Sequence, residues 1–250
     1  MFGIQIGRMG VGVGRKSVYS PSKLFASGEQ GIWLDPSDFT TMFQDSAGTT
    51  PVTADGQPVG LILDKSGNGN HASQATAAAR PLYKTDGTYH WLQFDGVDDF
   101  FQVLNIGTNE LISLFSGFTY SGVDPVSLAT NSANASEVSF YNEKVKIIAG
   151  NGAFSLVACA VAPKFVGTIE ADGLNFSGVA RRNGIDLGLQ PIVGGISMGS
   201  MNKLTLGVNS GGSGNPTTVS LYSLIIRGAL STPDEITATE TWVNGKTGAF

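Results

Sequence analysis

One cysteine in 250 residues excludes an internal disulfide and any cysteine-based zinc site. That residue, Cys159, lies in the apolar run AFSLVACAVA and reads as a small core hydrophobe. Histidine is almost as scarce. His71 and His90 are the two present, and neither falls in an HExxH or G-x-S-x-G setting. Glycine-rich stretches occur, but without the lysine and the strand-to-helix context of a phosphate loop. No apolar run approaches the roughly 18 residues of a membrane-spanning helix. Charged residues make up 14% of the chain, well under the usual quarter or so. These absences argue against zinc hydrolase, serine hydrolase and nucleotide-binding chemistry.

The charge that exists is unevenly placed. Net charge is −5, with no basic patch interleaved with aromatics, so nucleic acid is not an expected partner. Residues 1–28 carry Arg8, Arg15, Lys16 and Lys23 and no acid, which leaves the rest of the chain at −9. Five glycines fall in the first fourteen positions. This segment reads as an extended arm, residues 1–28, ahead of a domain over 29–250. Two readings stay open: a disordered or edge-strand terminus, or an arm that orders on docking to a neighbouring acidic surface. The opening MFGIQIGRMGVGVGRK is broken by glycine throughout, so a secretory signal is not expected and synthesis in the cytoplasm is.

What the chain does have is sheet-forming text. Hydrophobic residues reach 41%, enough for a sizeable core, and 34 glycines supply turns. Val59–Leu63 and Phe100–Leu104 are apolar runs bracketing two loops, Asp64–His71 and Asp95–Asp99, both dense in Asp, Asn and Gly. Downstream, strands are expected at Phe118–Val123, Glu137–Tyr141, Lys144–Ala149, Ala153–Val161, Lys164–Glu170, Leu174–Arg182, Ile185–Leu189 and Lys203–Val208. Asn142-Glu143 and Asn183-Gly184 are hairpin signals. Val219–Arg227 is apolar on both faces, Leu221, Ser223 and Ile225 alternating against Tyr222, Leu224 and Ile226, as in a strand covered on both sides. Thr232-Pro233-Asp234-Glu235 is a capping box, which predicts one helix to about Val243, ended by Asn244-Gly245. Trp33 reads as core, in a strand start before the Asp35–Asp38 turn. The fold class is all-β.

One resemblance sharpens this. The segments WLDPSDFTTMFQDSAGTTPVTADGQPVG, DKSGNGNHA and LQFDGVDDFFQV, with the strand–helix tail, resemble the concanavalin A-like lectin/glucanase superfamily in its laminin-G-like branch. The nearest likeness is to domains of bacteriophage and prophage virion proteins, over roughly residues 28–248. It implies a concanavalin A-like jelly-roll β-sandwich of two antiparallel sheets with one short C-terminal helix. It further implies a non-enzymatic virion structural protein of tail, fibre or capsid surface. Arg8, Arg15, Lys16 and Lys23 would serve its docking arm, and its partners would be other virion proteins and further copies of itself. The alternative is a carbohydrate-binding module for host-surface glycan, with Tyr89, His90, Trp91 and the polar loop Leu128–Ser136 as candidate contacts. Relatives often bind calcium near such loops, which makes Asp64, Asn68, Asn70 and Asp95 candidate ligands; the other reading of these residues is Asx-turn structure. The E-x-D-x-E strand of the superfamily's glycanases does not occur here.

Overall fold

A computed structural model describes residues 18–108, 111–120, 126–130, 137–141, 144–149, 153–158, 164–172, 177–189, 201–207 and 218–250. Arg8, Arg15, Lys16, Cys159, the loop after Thr130 and the Asn142-Glu143 turn lie outside these residues. In chain order come β1 (Gly31–Leu34), β2 (Met42–Phe43), β3 (Leu61–Ile62), β4 (Ala72–Ser73), β5 (Leu82–Thr85) and β6 (His90–Asp95). Then follow β7 (Phe101–Thr108), β8 (Leu111–Tyr120), β9 (Val126–Thr130), β10 (Glu137–Tyr141), β11 (Lys144–Ala149) and β12 (Ala153–Ala158). The last are β13 (Lys164–Asp172), β14 (Ser177–Arg182), β15 (Ile185–Leu189), β16 (Met201–Leu206), β17 (Thr218–Arg227) and the helix α1 (Pro233–Thr247).

All strand pairings are antiparallel, and they form two layers. The first is an eight-stranded sheet in the order β15-β14-β13-β8-β17-β6-β5, with β1 sharing β17's edge with β6. The second is a five-stranded sheet, β16-β7-β4-β3-β2, extended sideways by the meander β12-β11-β10-β9, whose β9 lies beside β16. Alternate residues of the two layers meet in one core: Leu92, Phe94, Leu114, Phe118, Ile169 and Leu224 from the first, Met42, Ile62, Phe101, Val103 and Leu204 from the second. The all-β sandwich with a single C-terminal helix is thus present.

α1 covers the outer face of the eight-stranded sheet. Val243 joins Trp33, Phe115, Val166 and Ile225 in a second apolar cluster, to which Leu24 and Phe25 also belong. The described end of the 1–28 segment is docked here: Pro21–Phe25 makes a 3-10 turn, Leu24 is fully buried, and Tyr19 Oη lies 2.5 Å from Thr239 Oγ1. Lys23 stays exposed. Gly117 permits the close approach of the helix, since a Cβ there would strike Thr247 and Val243.

Three expectations shift in detail. β17 is covered on both faces as predicted, but its alternation does not run through. A bulge between Leu221 and Ser223 reverses it, so Val219, Leu221, Leu224 and Ile226 face the inner core while Ile225 meets the helix side. The strand expected at Phe118–Val123 begins at Leu111. Its first half is buried on both faces and lacks a polar alternation to betray it. The helix passes through Asn244-Gly245 and stops at Gly248, which takes the left-handed conformation at φ 62°. Asn244 Oδ1 instead accepts from the Ala249 and Phe250 N–H groups and pins the tail.

A buried acid sits where β17 turns toward α1. Glu170 Oε2 accepts from Ser113 Oγ at 2.6 Å and from the Ser231 N–H at 2.9 Å, while Oε1 has no partner among the described residues. Burial pushes this carboxyl up to about 7, against the pull of those two hydrogen bonds. Such a group contributes most stability below the unfolded value of 4.5 and loses it as pH rises through 7. Asp99, raised to about 6 chiefly by burial, acts in the same direction. The melting temperature is therefore expected to be lower at pH 7.5 than at pH 5, with a smaller drop in Glu170→Gln. Equal drops would remove Glu170 from this account. Separately, Gly117→Ala is expected to cost about 1–3 kcal/mol in denaturant unfolding, because the helix must lift from the sheet.

Candidate functional site

The loop Asp64–His71 is the missing partner of β1. β17 occupies one edge of that short strand, and the other edge would otherwise present bare backbone groups. Asp64 Oδ1 accepts from the Trp33 N–H at 2.9 Å, and the Lys65 N–H donates to Trp33 O at 2.8 Å. Asn70 Nδ2 and Asn68 Nδ2 donate to Gly31 O at 2.7 and 3.2 Å. Asp64 also accepts from the Ser66 N–H, Ser66 Oγ and the Asn70 N–H, which occupies both carboxylate oxygens.

Three of the four candidate calcium ligands, Asp64, Asn68 and Asn70, are therefore brought together, as hydrogen-bonding struts of this loop. Asp95 belongs to the other loop. There Asp95, Asp98 and Asp99 hold carboxylate oxygens within 4.8 Å of one another, and Asp95 Oδ1 accepts from the Val97 N–H at 2.8 Å, with longer bonds from Asp98 and Asp99. Asp64→Ala strips four donors of their acceptor. A loss on the order of 3 kcal/mol is expected in urea unfolding, and an unchanged midpoint would disprove the strut role.

A cleft of about 490 Å³ opens between the β5–β6 hairpin, the turn at Ser37 and the last turns of α1. Its walls are Thr88, Tyr89 and His90 on one side, Thr241, Trp242, Gly245 and Lys246 on the other, with Ser37 between them. The hairpin is rigid for local reasons: Asp86 Oδ1 accepts from the Thr88 and Tyr89 N–H groups at 2.9 and 2.8 Å, and Gly87 turns at φ 88°. His90 Nδ1 lies 2.5 Å from Tyr83 Oη, and the two rings stack with centroids 6.0 Å apart.

The helix wall is fixed by charge. Asp35 is buried, and its Oδ2 takes Lys65 Nζ at 3.1 Å and Lys246 Nζ at 3.3 Å. Burial works to raise the Asp35 carboxyl, but the Ser37 hydrogen bond and the two ammonium groups outweigh it and hold it below its ordinary value. Lys246 also reaches Ser37 Oγ at 2.5 Å and lies 4.6 Å over the Trp242 ring, which meets Trp33 edge-on at 5.6 Å. The cleft thus offers two aromatic rings, an imidazole, hydroxyls and an ammonium group on a rigid frame. Among the described residues, no carboxylate lines it.

Of the three glycan candidates, Tyr89 and His90 line the cleft and Trp91 does not. Trp91 packs against Tyr222 with centroids 5.6 Å apart, its Nε1 donating to Gln93 Oε1 at 3.2 Å. Lys164 lies over both Tyr89 and Tyr222. Residues 131–136 of the candidate polar loop are outside the described residues, and Leu128–Thr130 belong to β9. Sequence reasoning missed Trp242 and Lys246. Their spacing of four places them on one helix face, but which sheet region that face meets is a long-range matter.

No sequence-family model matches the chain, and no curated protein does. Solved structures do. The binding domain of botulinum neurotoxin serotype D, solved with N-acetylneuraminic acid, superposes with a TM-score of 0.57 at 11% identity, over 85% of this chain and 50% of that one. The serotype G binding domain gives 0.56 at 12% identity, over 73% of this chain and 48% of that one. Trypanosoma rangeli sialidase gives 0.53 at 12% identity, over 87% and 33%. The shared property is the fold, a β-sandwich. This chain spans about half, or less, of the length of those structures.

Proposed function

We propose that this chain is a non-enzymatic, lectin-like recognition domain that binds a saccharide in the cleft between Tyr89 and Trp242. The observation that carries the reading is that cleft itself: aromatic rings beside hydroxyls and an ammonium group, on elements fixed by the Asp35–Lys246 pair. Aromatic faces and a few placed polar groups are what a saccharide site uses. A glycosidase of the common two-carboxylate type needs two carboxyl groups flanking the scissile bond, and among the described residues the cleft walls carry none. Two proteins that share this fold over half or less of their length, the serotype D neurotoxin binding domain and the sialidase, have been solved with N-acetylneuraminic acid and sialic acid respectively. On a glycan array the full chain is expected to bind a defined subset. Trp242→Ala should abolish binding to the acidic glycans of that subset and Trp91→Ala should leave it, both with melting temperatures checked. Silence across the array, or loss with Trp91→Ala alone, would defeat the reading.

The setting we infer is a bacteriophage virion, where the protein would meet other structural proteins, copies of itself and host-surface glycan. The support is the resemblance of Trp33–Gly60 and the SGNGN loop to phage and prophage virion domains. The basic segment carrying Arg8, Arg15 and Lys16 would attach it. Because Leu24 and Phe25 belong to the domain's own packing, the informative truncation removes residues 1–17 rather than 1–28. That variant is expected to fold and to be missing from purified particles. Its incorporation at the normal level would exclude the segment as the attachment.

A further inference from the structure

A second pocket, of about 360 Å³, lies on the opposite face of the sandwich. It is formed by Gly69, Asn70 and His71 from the loop that partners β1, Ser73 and Gln74 from and after β4, and Phe100 and Gln102 at and in β7. Alternation fixes its side. Ala72, Phe101 and Val103 are buried inward, so Ser73 and Gln102 point outward, and the two residues are direct neighbours across the β4–β7 ladder. The volume falls at the low end of small-ligand pockets, roughly 300–1,000 Å³.

The polar groups around this pocket are largely unspent. Among the described residues, nothing hydrogen-bonds the side chains of Ser73 or Gln102, and Asn70 Oδ1 has no donor. Asn70 Nδ2, by contrast, is anchored on Gly31 O, so its free oxygen is held in place. His71 Nδ1 accepts from the Asp64 N–H at 3.0 Å, which leaves Nε2 of this exposed side chain as the imidazole donor. Gln74 is the exception. It is buried, its Oε1 accepts from the Thr76 N–H at 2.9 Å, and its Nε2 donates to Phe100 O at 3.0 Å. Gln74 therefore fixes the position of Phe100, whose half-buried ring supplies the apolar wall. Among the described residues, no Asp, Glu, Lys or Arg lines the pocket.

We propose that this pocket is a binding site for a neutral saccharide residue, distinct from the Tyr89–Trp242 cleft. A pyranose presents an apolar C–H face, which suits the Phe100 ring. Its rim of hydroxyls needs donors and acceptors in mixed order, which Gln102, Ser73, Asn70 Oδ1 and His71 Nε2–H provide. A charged ligand would bring a charge that no lining side chain balances, and desolvating it there would cost binding energy. The cleft on the helix side, with its ammonium group, carries no such bar.

The test is a ligand-observed NMR titration of the full chain. The probes are methyl glucoside, methyl galactoside and methyl N-acetylglucosaminide, with N-acetylneuraminic acid and adenosine as charged and stacking controls. At least one neutral glycoside is expected to bind. Gln102→Ala and Ser73→Ala are expected to weaken it tenfold or more, while Trp242→Ala leaves that affinity unchanged. Neither Gln102 nor Ser73 has a side-chain hydrogen bond within the described structure, so both variants should keep the native melting temperature. Failure of every neutral probe to bind at tens of millimolar would overturn the proposal. So would binding confined to adenosine or the acidic sugar, or neutral binding untouched by both variants. A loss caused by Trp242→Ala would assign the signal to the cleft and would overturn it equally.

Discussion

The structure depends on how one short strand is held. β1 is four residues long, and it lies where the inner core, the helix-side cluster and the Asp64 loop meet. Ile32 and Leu34 point into the main core while Trp33 points beneath α1. Gly31, at φ 144°, runs so close to β17 that a side chain there would collide with the Ile226 carbonyl. A strand this short has few ladder bonds of its own, and a bare edge would be a liability. The loop after β3 answers that edge with one carboxylate and two carboxamides instead of another strand. Apart from the Lys65 N–H, side chains here do what backbone does elsewhere in the sheet.

That substitution explains why the loop is so rich in Asp, Asn and Gly. Local turn chemistry accounts for part of it, since Gly67 and Gly69 sit at positive φ in open space. The rest is long-range, with bonds reaching from residues 64–70 back to residues 29–33. The same loop then turns its outer side, Gly69 to His71, to the second pocket. One stretch thus closes the sheet edge on its inside and shapes a surface on its outside.

The legible and illegible parts of the sequence divide along the same line. The capping box at Thr232–Glu235, the Asn183-Gly184 hairpin and the strand text from Lys144 to Ala149 and from Lys164 to Glu170 are local signals, and each gave its element. The all-β class followed from their sum, and the sandwich from the resemblance. What could not be read depends on partners distant in sequence. The bulge at Tyr222 reverses the faces of β17, because the strand must serve β6 at one end and β1 at the other. Tyr89 and His90 could be picked out as an aromatic cluster beside a turn. Trp242 could not be joined to them, because only the packing of α1 over Gly117 brings it there. Trp91 looked equivalent to its neighbours in sequence, yet strand geometry sends it toward Tyr222.

The docked segment at Tyr19 has a consequence for orientation. Its hydroxyl meets Thr239, while Asn244, five residues further along α1, holds the backbone of Ala249 and Phe250. At 1.5 Å per residue these two anchor points are about 8 Å apart along the helix axis. Both ends of the described chain are therefore gathered on the helix-bearing side. A tether attached at Tyr19 or at Phe250, as on a sensor chip, presents the molecule the same way round. The five-stranded sheet, with Gln102 and Ser73 on its outer surface, becomes the side that looks away from the support.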